Sequence, residues 1–249
     1  QDEVRQLSRA RARRTSELQA MKDELDALGY SVSHDLRAPL RAIEGLSKIL
    51  LHRPDDRLDP RIQSYLQHIC GASQRMSLMI GELLGLSRLM RREMHIETCD
   101  LSAMARDILA ALQQSSPDRV VEIEVAPDIV ARGDRTLLRT VLENLLDNAW
   151  KFTTGTPAAR IEVGVTSRDG QMAYLVRDNG VGFDMASAEK LFGVFQRMYA
   201  AREFEGSGMG LARVQRIVRR HGGDVWAEAA VGRGATFTFT LSSPAATTA

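Results

Sequence analysis

Glu143-Asn144-Leu145-Leu146-Asp147-Asn148-Ala149-Trp150-Lys151-Phe152 closes a run in which Leu138, Val141, Leu142, Leu145 and Ala149 recur at helical spacing. One face of that helix is apolar. Asn144, Asn148 and Lys151, at i, i+4 and i+7, put two amides and an ammonium together on another face. Mg²⁺ takes few protein oxygens and completes its shell with waters and phosphate oxygens, so an Asn carbonyl is a suitable ligand and a lysine beside it suits a phosphate. A plain amphipathic helix with polar residues toward solvent is the alternative reading, and the segments on either side decide between the two.

Around this helix, short strand-like runs at 120–125, 161–167 and 172–177 alternate with helix-like runs at 101–113, 136–151 and 209–221, and a last strand covers 235–241. The pattern predicts an α/β sandwich over residues 95–242. Three glycine-rich segments punctuate it. Asp178-Asn179-Gly180-Val181-Gly182 follows a strand, where a glycine pair would let backbone approach a flat ligand and Asp178 could accept from an exocyclic amine such as that of adenine. Gly206-Ser207-Gly208-Met209-Gly210 leads into a helix, and backbone N–H groups at a helix N-terminus suit phosphates. Gly232-Arg233-Gly234 opens the last strand. Any one of these can be a simple turn, and neither G-x-x-x-x-G-K-[ST] nor a complete G-x-G-x-x-G is present.

Toward the N-terminus, Val4, Leu7, Arg11, Arg14, Leu18, Met21, Leu25, Leu28 and Val32 alternate steps of three and four, which is a heptad seam. Residues 1–28 are therefore expected to form a coiled coil. Leu36, Leu40 and Ile43 then change the step, a stutter that falls on residues 30–40, which include Ser33-His34-Asp35-Leu36-Arg37-Ala38-Pro39-Leu40. Leu36 and Leu40 lie on the seam, so His34 and Asp35 face solvent. A solvent-facing imidazole can act as a nucleophile, and an adjacent carboxylate can fix its tautomer. Residues 53–60 have turn chemistry, with Asp59 as N-cap and Pro60 as first helical residue. Ile62, Leu66, Ile69, Met76, Ile80 and Leu83 continue a second long helix, read as a core stripe. Two helices with one apolar stripe each cannot close a core, whereas two copies make a four-helix bundle, so residues 29–94 are expected to be a dimeric helical hairpin.

The chain of 249 residues has 44% hydrophobic and 26% charged residues, close to a globular average, and is long enough for a packed core. Its 33 Lys plus Arg against 32 Asp plus Glu leave a formal charge of +1, so no whole-chain field favours nucleic acid. Two cysteines, Cys70 and Cys99, make neither a disulfide framework nor a zinc site, which fits a reducing compartment. No apolar run approaches a membrane span. The chain opens on Gln1 rather than Met and is read as a cytoplasmic fragment whose upstream part holds a sensor or an anchor. Residues 243–249 read as a frayed tail.

The order of these pieces, a His-Asp helix, an Asn helix, D-x-G-x-G, G-x-G-x-G and a final G-x-G, resembles the sensor histidine kinases of two-component signalling from about Gly29 to Leu241. S-H-D-L-R-A-P-L-R-A-I, residues 33–43, looks most like their phytochrome-type subgroup. The resemblance implies a dimeric helical hairpin joined to a Bergerat-type ATP-binding sandwich, with ATP and Mg²⁺ as cofactors and a response-regulator receiver domain as partner. It makes His34 the phosphoacceptor and Asp35 its acid/base neighbour. Asn144, Asn148, Lys151 and Phe152 match the N box, with Asn148 on Mg²⁺. Asp178, Gly180 and Gly182 match the G1 box, in which the Asp recognises adenine. Phe192 and Phe195 match the F box, and Gly206, Gly208 and Gly210 the G2 box. Residues 193–205 between them would be a lid, with Arg197 and Arg202 as phosphate contacts. Ala38 departs from the Thr or Asn that many relatives carry four residues after the His, so weak dephosphorylation of the regulator is expected. The alternatives are a non-catalytic dimeric scaffold and a Bergerat-fold ATPase such as DNA gyrase. His34, Asp35, Asn148 and Asp178 occurring together argue against the first, and a phosphoacceptor helix argues against the second.

Overall fold

Asp59 and Pro60 start a helix as their residue types require: the Asp59 carboxylate accepts the N–H of Arg61 at 2.7 Å, and its carbonyl accepts that of Gln63 at 3.0 Å. In this computed structural model the described residues are 36, 39–51, 59–91, 93–168, 170–193 and 208–242. The expected coiled coil, His34, Asp35, Ala38, Phe195, Arg197, Arg202, Gly206 and the tail 243–249 lie outside them. The chain divides into two units, residues 1–89 and 90–249.

The first unit holds α1 (39–51) and α2 (Pro60–Arg91). Small residues let the two helices approach: Ser47, Cys70 and Ser73 are buried, and the Ser73 hydroxyl donates to the Leu40 carbonyl at 2.7 Å. Gln74 and Lys48 both donate to the Glu44 carboxylate, at 3.0 and 2.6 Å. The stripe read as core is not buried within one chain. Ile62, Ile69 and Met76 are 44 to 48% exposed, and Leu46 and Ile49 on α1 exceed 60%. The spacing carried the helix correctly, and the exposure of Ile62, Ile69 and Met76 in a single chain agrees with a stripe that one hairpin cannot bury by itself.

The second unit runs β1 (Ile96–Asp100), α3 (Leu101–Ser115), β2 (Glu122–Val125), β3 (Val130–Asp134), α4 (Arg135–Phe152), β4 (Arg160–Arg168), β5 (Gln171–Asp178), a 3-10 turn (Met185–Lys190), α5 (Gly210–Arg220), β6 (Val225–Ala229) and β7 (Ala235–Thr240). Five strands form one sheet in the order β2-β4-β5-β7-β6, with β2 and β4 parallel and the other pairs antiparallel, while β1 pairs with β3. Register fixes which residues face the helices. Ile161 opposes Asp178, Val163 opposes Val176, Val176 opposes Phe237, and Asp178 opposes Ala235. Because side chains alternate along a strand, Asp178 shares the face of Tyr174 and Val176. Leu138, Val141, Leu142, Leu145 and Leu146 of α4 are buried in the core with Ile161, Val163, Val176, Phe237 and Phe239. Each such side chain contributes about 2 kcal/mol by leaving water.

Three strands were not expected from the sequence: β1, β3 and β6. Each is five residues long and carries charged residues, such as Glu97, Arg132 and Glu228, at exposed positions. β1 and β3 pair with each other across α3 and β2, for example Ile96 opposite Asp134, and β6 pairs with the next strand, Val225 opposite Phe239.

Candidate functional site

The end of β5 carries a carboxyl group into the helix-covered face of the sheet. Asp178 is 6% exposed, and burial pushes its carboxyl up to about 6, while hydrogen bonds from the backbone N–H groups of Gly180 and Ala235 pull the other way. The Gly180 N–H reaches it at 2.9 Å. At neutral pH the group is ionised, poorly solvated and still able to accept from a ligand amine. Asn179 beside it is occupied structurally, accepting the Arg160 N–H at 2.8 Å and donating to the Ala158 carbonyl at 2.9 Å.

The glycines after Asp178 let the protein's own backbone close in around it. A Cβ on Gly180 would strike the Phe152 carbonyl at the end of α4, and one on Gly182, whose φ is 58°, would strike the Ala230 carbonyl. The close approach is to the protein's own backbone. Val181 completes the join: its N–H donates to Phe152 O at 3.1 Å and its carbonyl accepts the Gly232 N–H at 2.7 Å. Gly234, with φ of 81°, abuts the Asp178 carbonyl itself. The Asp178 loop is thus fastened between the end of α4 and the β6–β7 turn.

α4 presents the expected strip. Asn144, Asn148 and Lys151 are all half-buried along one side, while Leu145, Leu146 and Ala149 are buried. The Asn144 amide nitrogen donates to Thr140 O at 2.7 Å, so its oxygen points along the helix toward α5. The Lys151 ammonium lies 4.2 Å from the centroid of the half-buried Phe152 ring. α5 begins beside this strip: a Cβ on Gly210 would come 2.8 Å from Asn144 Oδ1. Gly208 has a φ of 76°, Met209 is buried, and among the described residues no side-chain hydrogen bond caps α5. The N–H groups there lack intrahelical acceptors, which suits an anion. Phe192 is half-buried next to buried Leu191. Three segments distant in sequence therefore converge: the Asn144–Lys151 strip and Gly210 touch directly, and Asp178 joins α4 through Phe152.

A clasp that the sequence did not announce holds the end of α4. Arg119 stacks 4.5 Å from the Trp150 ring centroid and donates to the Thr153 hydroxyl at 2.7 Å. Thr153 in turn donates to Ala149 O at 2.7 Å, ending the helix. Only the Arg and Trp residue types hinted at it.

Residues 24–92 match the family model described as the His Kinase A (phospho-acceptor) domain, and residues 133–245 match that of the histidine kinase-, DNA gyrase B-, and HSP90-like ATPases. The chain belongs to the sensor histidine kinases. It is 34% identical over 234 residues to the methanogenesis regulatory histidine kinase FilI of Methanothrix harundinacea, an alignment covering 93% of this chain and 26% of that protein. To cyanobacterial phytochrome B of Nostoc sp. it is 34% identical over 228 residues, 90% of this chain and 30% of the phytochrome. This kinase chain thus spans between a quarter and a third of these relatives. Among solved structures, full-length ShkA in complex with AMPPNP matches with a TM-score of 0.58 and 25% identity, over 85% of this chain and 44% of ShkA.

Proposed function

We propose that this chain is the catalytic part of an ATP-dependent protein-histidine kinase that phosphorylates itself on His34 and passes the phosphoryl group to an Asp of a response regulator. The observation that carries the reading is the convergence of the Asn144–Asn148–Lys151 strip, the glycine-rich first turn of α5 and the buried Asp178 carboxyl, in a chain whose residues 24–92 match a phosphoacceptor domain. In this reading Asp178 accepts the adenine amine, Lys151 meets a phosphate, and the amides of Gly208 and Gly210, with Gly206 before them, cradle phosphates. Phe152, Phe195, Arg197 and Arg202 complete the nucleotide contacts. The donor set also fits Mg²⁺: Asn148 offers a hard amide oxygen from a half-exposed position, where the ion would neutralise phosphate charge.

In the transfer step, a ring nitrogen of His34 bonds to the γ-phosphorus as the bond from that phosphorus to the β,γ-bridging oxygen breaks and ADP leaves. Asp35 takes the proton from the other ring nitrogen. Placement and charge neutralisation supply most of the catalysis. A homodimer buries the outward stripe of α1 and α2, an upstream sensor drives the coiled coil, and this part of the protein works in the cytoplasm. With Ala38 in place of a polar side chain, dephosphorylation of the regulator is weak. Incubation with γ-labelled ATP tests the reading: label that is acid-labile, base-stable and lost in His34→Gln supports it, and absence of label from the unaltered chain refutes it.

A further inference from the structure

His221 closes α5 at 7% exposure, and no step of the proposed reaction uses it. Its Nδ1 lies 2.9 Å from the Ile217 carbonyl, which can only accept, so Nδ1 carries the proton. Nε2 is left as an acceptor and receives the backbone N–H of Asp134 at 3.0 Å. Asp134 is the buried N-cap of α4. One carboxylate oxygen takes the Leu137 N–H at 3.1 Å and the other takes the His95 N–H at 3.0 Å. The His221 carbonyl accepts the Ser242 N–H at 3.1 Å. One buried pair therefore fastens the start of α4, the end of α5, the approach to β1 and the residues after β7.

The two helices it joins run antiparallel. Gly210 abuts Asn144 at one end and His221 holds Asp134 at the other, ten residues along α4 and about 15 Å away. A slip of one residue moves a helix about 1.5 Å and turns it by about 100°. At the Gly210 end the approach is close, since a Cβ there would come 2.8 Å from Asn144 Oδ1.

We infer that Asp134 and His221 are positioning residues for the nucleotide site, setting from its far end the spacing between the first turn of α5 and the Asn144–Asn148–Lys151 strip. The inference rests on the ATP-binding reading above. His221→Phe keeps a ring but removes the acceptor and leaves the Asp134 N–H buried without a partner, a loss large enough to disturb the register. His221→Gln returns an acceptor of similar reach.

The test uses the full 249-residue chain and a non-hydrolysable ATP analogue with Mg²⁺, titrated by calorimetry well below each variant's melting temperature. The dissociation constant rises about tenfold in His221→Phe and returns to within about threefold of the parent in His221→Gln. Hydrogen exchange on the unaltered chain needs no variant to fold: saturating analogue slows exchange at the Asp134 amide, because coupling between two sites is reciprocal. A folded His221→Phe that binds like the parent, or an Asp134 amide indifferent to the analogue, overturns the inference. An unaltered chain that does not bind the analogue overturns the ATP reading itself, a result visible before any variant is made.

Discussion

Asp178→Asn keeps the size of the side chain and one acceptor oxygen while removing the charge. The ordinary carboxyl value of 3.8 against about 6 in the folded domain corresponds to about 3 kcal/mol. At 6% exposure little of that is screened by solvent. Because the folded value is the higher one, the folded state keeps a proton that the unfolded chain has already released between pH 4 and 6. Wild-type stability therefore falls as pH rises through that window, and the full cost is present at pH 7. The Asn variant lacks this dependence. Its unfolding free energy relative to wild type is expected to grow by about 3 kcal/mol from pH 3 to pH 7 and then level off. Urea melts at half-unit pH steps, followed by tryptophan fluorescence, read this unit alone, since both tryptophans, Trp150 and Trp226, lie in it. Nucleotide affinity moves the opposite way, because the charged acceptor is gone. A stability difference that stays flat or shrinks as pH rises would refute the assignment of the strain to Asp178.

Gly182→Ala places a Cβ against the Ala230 carbonyl and 2.8 Å from that of Gly234, at a φ of 58°, and is expected to cost more than about 3 kcal/mol in the same melts; parental stability would show that the loop yields freely. Asn148→Ala abolishes Mg²⁺-dependent nucleotide binding, whereas His34→Gln leaves that binding within about twofold and abolishes labelling, as calorimetry and γ-labelled ATP will report separately. Mixed dimers of those two variants regain label if transfer runs between subunits and stay unlabelled if it runs within one. Leu46→Glu, at a position 62% exposed in the single chain, introduces a charge into the outward stripe and lowers the sedimenting mass to that of a monomer; an unchanged dimer would place the interface elsewhere.

Helices were legible wherever local chemistry decides them. Asp59-Pro60 announced α2, and the spacing of Leu138, Val141, Leu142 and Leu145 announced the buried face of α4. Val225-Trp226-Ala227-Glu228-Ala229 was not read as a strand because what makes it one is Phe237 and Phe239 across the ladder. The chemistry of Asp178 was visible as a residue type, but its raised carboxyl value comes from burial by the fold. Gly180 and Gly182 were read for a ligand's approach; that their backbone also packs against Phe152 and Ala230 depends on segments distant in sequence, which no spacing announced. No spacing rule pairs residues 134 and 221, so the Asp134–His221 contact was invisible until the helices were seen side by side.

The place of β7 has a bearing on how the chain is made. It lies between β5 and β6, and its first residue, Ala235, supplies an N–H to the Asp178 carboxyl. A chain leaving the ribosome exposes the phosphoacceptor helices and α4 long before residue 240. Until then β5 has an unpaired edge, Asp178 lacks one of its two amide donors, and Gly234 is not there to close the loop behind it. On the proposed function, nucleotide capture waits for the last strand to thread in beside β5, so translation itself delays the first turnover until the domain is complete.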